Sequence, residues 1–447
     1  MKLDRRGITG KQWAIVGIIV VVLVVAGAGI GLTYKPATST QKTLSVWMLT
    51  ETPPYTPTIP QQWASQFHKL YPNVTVNFQF ITYSDYYTKI LAAQSVNQLP
   101  DILYVYDAWL PTFVGSHLIV TPPSSIQNNV KTNFTSASST GSTYNGTVWG
   151  VPTETDAYML LYNKALFAKA GIASPPVNWT QLVQDAQKLT VRNSKGQITT
   201  EGFSVITGWD NGVVQPWLAM LRSNGGHLLN STGMAGFDNG PGIQLANFYY
   251  NLTHVWNVTN PSLGGALTTF PTQNAAMTIM ADWWEAGLKA AMGSNYSNVG
   301  VAPIPVGPSG TKPITVSYSW LWTVTGQAQK RGDATMAWRF INWLDTPNTS
   351  TSLSPMGKWL EGLGILPSRT SDYTNNASLT SDPFLAPYIN AMSSGSAPAM
   401  PAIGPYEQVI DTLWHTIRGI EGGTVEPASG MQLAASESNS FISSWVG

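Results

Sequence analysis

Asp101-Ile102-Leu103-Tyr104-Val105-Tyr106 is an almost wholly apolar run that follows Pro100. Such a run predicts a parallel strand covered on both faces. The residues before it fit the same reading. Residues 43–49 place Leu44, Val46 and Met48 at alternate positions, a strand signal. Trp63, Phe67 and Leu70 fall at i, i+4 and i+7, one apolar helix face, and Pro72-Asn73 breaks that helix. Val74, Val76, Phe78 and Phe80 alternate as a second strand. Ser84 can cap a helix to about Ser95, with Tyr87, Ile90 and Leu91 inward. Strand–helix–strand–helix–strand predicts an α/β lobe.

The pattern resumes downstream. A strand is expected across 149–162, then a short helix over 163–170 closed by Gly171. Asn178-Trp179-Thr180 opens a helix to about Leu189, and residues 218–221 are helical up to Asn224-Gly225-Gly226. Residues 275–280 and 299–303 read as strands, and 333–344 and 406–417 as helices. No fixed-period repeat is present, which argues against a solenoid.

The 447 residues allow two or three domains beyond an N-terminal segment of 42. Lysine plus arginine number 23 and aspartate plus glutamate 23, so no basic excess exists to draw nucleic acid. Charged residues make up 10%, against roughly 25% in ordinary soluble domains. The polar surface must be built mostly from hydroxyls and amides, which suits an acidic exterior. There is no cysteine, which excludes disulfides, thiolate metal sites, a cysteine nucleophile and cysteine-linked lipid. His68, His117, His227, His254 and His415 are scattered, and the metalloprotease, nucleophile-elbow and P-loop motifs are absent. No catalytic residue, cofactor or metal is expected. A glycosidase, which needs only two carboxylates, stays open.

Residues 13–32 form an uncharged apolar stretch long enough to span a bilayer as a helix. Lys2, Arg5, Arg6 and Lys11 precede it, which puts residues 1–12 in the cytoplasm and the body outside. Residues 33–42 are a polar tether. The run Arg5-Arg6-Gly7-Ile8-Thr9-Gly10-Lys11-Gln12-Trp13 resembles the type IV pilin-like signal of archaeal secreted binding proteins. That resemblance implies cleavage after Gly7 with the helix retained. An uncleaved anchor and an ordinary removed signal are the alternatives, and all three export the body. The expected location is the extracellular face of the membrane. Ten sequons lie in the body, at Asn73, Asn133, Asn145, Asn178, Asn230, Asn251, Asn257, Asn295, Asn348 and Asn376. Each is a glycan acceptor only if exposed; Asn178 aside, they are the glycosylation candidates of an expected glycoprotein.

The order of the body segments resembles family 1 extracellular solute-binding proteins of ABC transporters, the group that includes maltose-binding proteins. The likeness rests on Leu99-Pro100-Asp101-Ile102-Leu103, Tyr106-Asp107-Ala108-Trp109 and Gly115-Ser116-His117-Leu118. It continues in Gly150-Val151-Pro152, Leu161-Tyr162-Asn163-Lys164 and Pro175-Pro176-Val177-Asn178-Trp179-Thr180-Gln181-Leu182. Asn224-Gly225-Gly226, Ala276-Met277-Thr278 and Ala337-Trp338-Arg339-Phe340-Ile341 complete it. The resemblance implies a two-lobed α/β fold of the type II periplasmic-binding-protein kind. Its lobe one would comprise 43–155 plus 305–350 and its lobe two 156–304 plus 351–447. Crossovers are expected near 155–158, 302–305 and 348–356. One departure stands out: the Gly-Gly pair of many members reads Tyr318-Ser319-Trp320 here.

Sugar recognition uses flat rings against C–H faces and planar carboxylates or amides against hydroxyls. Loops after strands are where α/β sheets hold ligands. Tyr106, Asp107 and Trp109 follow the strand 101–106 and touch ligand by resemblance. Asp156 sits where the family carries a hydroxyl-binding carboxylate, and Trp283 matches the stacking tryptophan of maltose binders. Trp209, Asp210 and Asn211, ahead of a helix, form a rim, and Tyr318, Trp320, Tyr406 and Glu51 complete the candidate ligand set. Trp284 is expected to pack, and Trp63, Trp179, Trp338 and Trp343 to be core. The function implied is a substrate-binding protein of an ABC importer that closes on a sugar or oligosaccharide and delivers it to the permease. A secreted glycoside-active enzyme and a pilus-like surface protein are the alternatives.

Overall fold

The computed structural model describes residues 41–50 and 58–445. The expected anchor helix 13–32, the Gly7 cleavage point and Glu51 lie outside them. Among the described residues no helix is long and apolar enough to cross a membrane.

The first sheet starts from β1 (Lys42–Leu49), β2 (Val74–Ile81) and β3 (Ile102–Tyr106), paired in parallel in the order β2-β1-β3. All five β3 residues are buried, as the apolar run predicts, and Leu44, Val46 and Met48 have no exposure. The helix Thr58–Leu70 buries Trp63 and Phe67, whereas Leu70, at its end, is 58% exposed. The helix Tyr83–Ser95 buries Tyr86, Ile90 and Ala93, so its inner face is not the Tyr87–Leu91 face. Short strands β4 (Ile119–Val120) and β5 (Val151–Pro152) belong to the same sheet.

The second sheet is built on β6 (Asp156–Asn163). Strands β7 (Met277–Ala281), β8 (Val299–Ala302) and β9 (Ser317–Tyr318) all pair with it antiparallel. Then β10 (Trp320–Thr325) returns to the first sheet between β3 and β4 and also pairs with β5. Two extended segments therefore run from sheet to sheet. One is 153–155, near the expected place. The other is Ser319, not 302–305: β8 still pairs with β6, and Val306 exchanges backbone hydrogen bonds with Val177 and Trp179 of the same lobe.

A third segment lies beside them. Thr155 N donates to Leu366 O at 3.0 Å and Ser368 N to Thr153 O at 2.8 Å. No crossing occurs at 348–356, because Trp359 of the helix Pro355–Leu363 packs edge-on against Trp63 at 5.5 Å. The chain has joined the second lobe by Tyr388, whose hydroxyl donates to Met280 O. The helices Tyr406–Glu421 and Pro427–Ser444 pack there against Asp210–Ser223 and Gly240–His254.

Trp63, Trp179 and Trp338 are buried as expected, and Trp343 is half-buried beside Phe67. Exposure divides the sequons. Asn73, Asn133, Asn145, Asn230, Asn257, Asn295 and Asn348 are exposed, and Asn251 is half-buried. Asn376 is corrected: it is 5% exposed and its side chain caps the helix Ala377–Thr380. Asn178 likewise caps the helix Trp179–Leu189 through Gln181 N.

Several carboxyl groups are deeply buried with few cations to meet them. Burial pushes Asp345 up to about 8 despite Arg369 Nη1 at 3.0 Å, and Glu421 up to about 7 despite Arg418. Between the ordinary carboxylate range and these values the folded chain binds more protons than the unfolded one. The stability so gained is complete below about pH 4 and is lost as pH rises through 7 to 8. The thermal midpoint should therefore be higher at pH 5 than at pH 8, with a smaller difference in Asp345→Asn. A midpoint that rises from pH 5 to pH 8 contradicts this assignment.

Candidate functional site

Between the two sheets lies a cavity of about 510 Å³, within the usual range for small-molecule sites. Its walls follow from strand periodicity. Side chains two apart on extended backbone leave the same face, and Glu154, Asp156 and Tyr158 all line the cavity. On the other crossing segment Tyr318 and Trp320 do the same. The register puts the two segments side by side, Tyr318 opposite Asp156 and Leu321 opposite Pro152. Further wall comes from Tyr83 of the helix Tyr83–Ser95, from Asn211 and Gln215 one turn apart on Asp210–Ser223, and from Trp209, Trp283 and Trp284.

The rings fall into two groups. Tyr106, Tyr158, Tyr318 and Trp320 are buried, each with little free surface. Trp320 stacks on Tyr104 at 5.1 Å with an 8° interplanar angle, and Tyr106 meets Tyr318 edge-on at 5.4 Å. Tyr83, Trp209 and Trp283 are only half-buried. They are the rings with area left for a ligand, one from the first lobe and two from the second.

Beneath the rings a neutral hydrogen-bond network spans the lobes. Gln215 Nε2 donates to Tyr106 Oη at 2.5 Å, and Tyr158 Oη donates to Gln215 Oε1. Tyr406 Oη donates to Asn211 Oδ1 at 2.6 Å, and Asn211 Nδ2 to Tyr83 Oη at 2.8 Å. Two more links close the edge: Trp109 Nε1 to Glu407 Oε1 at 2.5 Å and Thr112 Oγ1 to Gly404 O at 2.5 Å.

Two carboxylates lie near the crossing. Glu154 accepts from Tyr104 Oη at 2.6 Å and from Thr153 Oγ1. Burial still pushes it up to about 7. Asp282 is held by Ala157 N at 3.0 Å and is likewise pushed up to about 7 by burial. Asp107 locks the second crossing. Its Oδ2 accepts Ser319 N at 2.9 Å while its own N donates to Ser319 O at 3.0 Å. Burial pushes Asp107 well above the carboxylate range.

Of the sequence candidates, Tyr106, Asp156, Trp209, Trp283, Tyr318 and Trp320 line the cavity. Asp107, Trp109, Asp210 and Tyr406 do not. Asp107 clips the hinge. Trp109 reaches Glu407 and Tyr406 Oη lies 3.3 Å from Tyr106 Oη, so both bridge the lobes behind the wall, and Asp210 takes the N–H of Asn211 at 2.6 Å at its helix start. Trp284, expected as packing, is 8% exposed and also reaches the wall. Sequence reasoning missed Tyr83, Glu154, Tyr158 and Gln215; Asn211, read as rim beside Trp209, does line the cavity. Glu154 and Tyr158 could have been found, since they flank Asp156 at i−2 and i+2.

Residues 52–348 match the profile of the bacterial extracellular solute-binding proteins. The chain belongs to that family. A putative binding protein of Brucella abortus is 24% identical over 381 residues, 83% of this chain and 86% of its own. A probable ABC transporter-binding protein of Deinococcus radiodurans is 26% identical over 255 residues, 54% of this chain and 57% of its own. The GacH receptor of Streptomyces glaucescens, solved unliganded and with acarbose, superposes with a TM-score of 0.76 at 20% identity. That match covers 91% of this solute-binding protein and all of the receptor. An ABC transporter solute-binding protein from Thermotoga lettingae, solved with α-D-tagatose, gives 0.74 at 22% identity, over 90% of this chain and all of that one. At such identities the likeness carries the two-lobed fold.

Gln215→Leu would strand the buried hydroxyl of Tyr158 and unlink Tyr106 from the second lobe. Leaving such a group unpaired costs about 1–3 kcal/mol. Urea unfolding should show a loss of that size. A change below about 0.5 kcal/mol, the level of an ordinary surface substitution, would contradict the network.

Proposed function

We propose that this protein captures a sugar or oligosaccharide between its lobes outside the cell and delivers it to the permease of an ABC importer. The observation that carries the ligand class is the cavity wall: half-buried rings from both lobes beside amides, hydroxyls and carboxylates. Rings cover the C–H faces of pyranoses, and the polar groups take their hydroxyls. The solved relatives that hold acarbose and tagatose support this reading.

Trp283 and Trp209 would stack from the second lobe, with Tyr83 opposite from the first. Asp156, Glu154, Asn211 and Gln215 would meet hydroxyls, while Tyr106, Tyr318 and Trp320 form the floor. Asp107, Trp109 and Tyr406 would act by holding the lobes together. Closure is a population shift, because only the closed form lets one ligand touch both lobes.

The remaining parts of the reading rest on sequence. Residues 13–32 would anchor the body, with a pilin-like signal cut after Gly7 and a tether ahead of β1. Glycans would sit on the exposed sequons. No catalysis is assigned.

Screening saccharides by intrinsic tryptophan fluorescence tests the proposal. A saturable change without new reducing ends is expected. Trp283→Ala should then weaken binding by about 1–3 kcal/mol, the range for ring stacking on an aromatic platform. An unchanged dissociation constant for the bound sugar would remove Trp283 from the site. Release of reducing ends would favour a glycoside-active enzyme instead.

A further inference from the structure

Glu407 is a carboxylic acid placed where the lobes meet. It stands in the first turn of the helix Tyr406–Glu421 of the second lobe, and its Oε1 accepts the indole N–H of Trp109, from the first lobe, at 2.5 Å. Beside this contact Thr112 Oγ1 of the first lobe donates to Gly404 O of the second. Tyr83 and Tyr87 also face Glu407 from the first lobe. From the second come Tyr406 beside it, Asp210 at the start of the neighbouring helix, and Asp411 one turn along its own. Other charges on these elements are engaged with other groups. Asp107 holds Ser319 N, Asp85 takes the hydroxyl of Thr82, and Lys89 lies over the Trp47 ring. His415 is 3.3 Å from Asp411, Arg418 pairs with Glu421, and Arg222 donates to Gly226 O.

The contact with Trp109 exists only while the lobes are together. In that form burial pushes Glu407 up to about 7; the Trp109 N–H holds it down in part, and Asp210 and Asp411 push it further up. Parting the lobes removes the indole and readmits water, which returns the group toward the ordinary carboxylate range. The closed form therefore binds this proton more tightly than the open form. The gain for closure is complete below the ordinary carboxylate range and is lost as pH rises through about 7. Protonation leaves the contact intact, because the carbonyl oxygen of a neutral carboxyl still accepts an N–H.

We propose that Glu407 is a positioning residue for capture: as the lobes close on Trp109 its carboxyl takes up a proton from solvent, so the protein grips its saccharide more tightly in acid than in alkali. This rests on the two-lobed capture reading above and adds a proton to it.

The test is titration of the full chain at pH 5 and pH 8 with maltose, mannobiose, tagatose and acarbose, beside the variant Glu407→Gln. Glutamine keeps the size and the acceptor oxygen but cannot take up the proton. Each unit by which the closed form raises the group is about tenfold in affinity. Any sugar that binds should therefore do so at least about tenfold more tightly at pH 5 than at pH 8, and the ratio should shrink in Glu407→Gln. Calorimetry at pH 6 in two buffers of different ionisation enthalpy should show proton uptake on binding, reduced in the variant. Other acids near the cavity, such as Glu154, act alike in both proteins, so the difference between them isolates Glu407. A ratio and an uptake that the variant leaves unchanged, or a variant weakened equally at both pH values, overturn the proposal and leave the carbohydrate reading intact. If none of the four sugars binds, the carbohydrate reading is at fault, and spin labels at Val96→Cys and Val255→Cys, both exposed positions, decide the proton link without sugar. A distance shorter at pH 5 than at pH 8, with the difference lost in Glu407→Gln, supports it; the same distance at both pH values overturns it.

Discussion

Two extended segments that carry the chain from one sheet into the other set everything else in this molecule. The chain leaves β5, passes 153–155 and enters β6; later it leaves β9, turns at Ser319 and enters β10. Because the two passages pair antiparallel, their alternation is locked in register. Glu154, Asp156 and Tyr158 on one, and Tyr318 and Trp320 on the other, are thereby forced to one side, and that side is the cavity floor. Tyr318 and Trp320 bring rings to that side, while Ser319 between them is gripped by Asp107 through backbone and side chain. Few crossing strands also mean few dihedrals to change when lobes move.

The scarcity of charge has a structural counterpart. Across the cleft the lobes meet mainly through phenols, amides and an indole N–H. Burial pushes Glu154, Asp282 and Glu407 each up to about 7. A protein assembled this way keeps its contacts when carboxylates protonate, which agrees with the composition of the surface. Among the described residues that line the cavity there is likewise no lysine, arginine or histidine.

Much of the fold was legible because local pattern and tertiary context agreed. The run 102–106 is buried on both faces as its apolarity implies, and Asn163, Asn178 and the strands after residues 275 and 299 fall where capping and alternation put them. Crossing points were less legible. Periodicity marks a strand but not the sheet it joins, so the return crossing was placed at the strand 299–303 and not at Ser319. A cavity residue after a named strand was readable, as Trp283 illustrates. Gln215 was not, because it belongs to a long buried helix whose identity as a cleft wall depends on how the second lobe docks. Trp109 and Tyr406 looked like ligand contacts, having the right chemistry near the right place; only packing assigns them to the bridge behind the wall.

The central claim is that two lobes change their separation around a bound saccharide. With no native cysteine, spin labels can be placed uniquely at Val96→Cys on the first lobe and Val255→Cys on the second, both exposed positions at helix ends. The account predicts a broad or longer distance distribution without sugar that collapses to one narrow, shorter distance when a binding saccharide saturates the protein. A distribution that stays the same at saturation would contradict it.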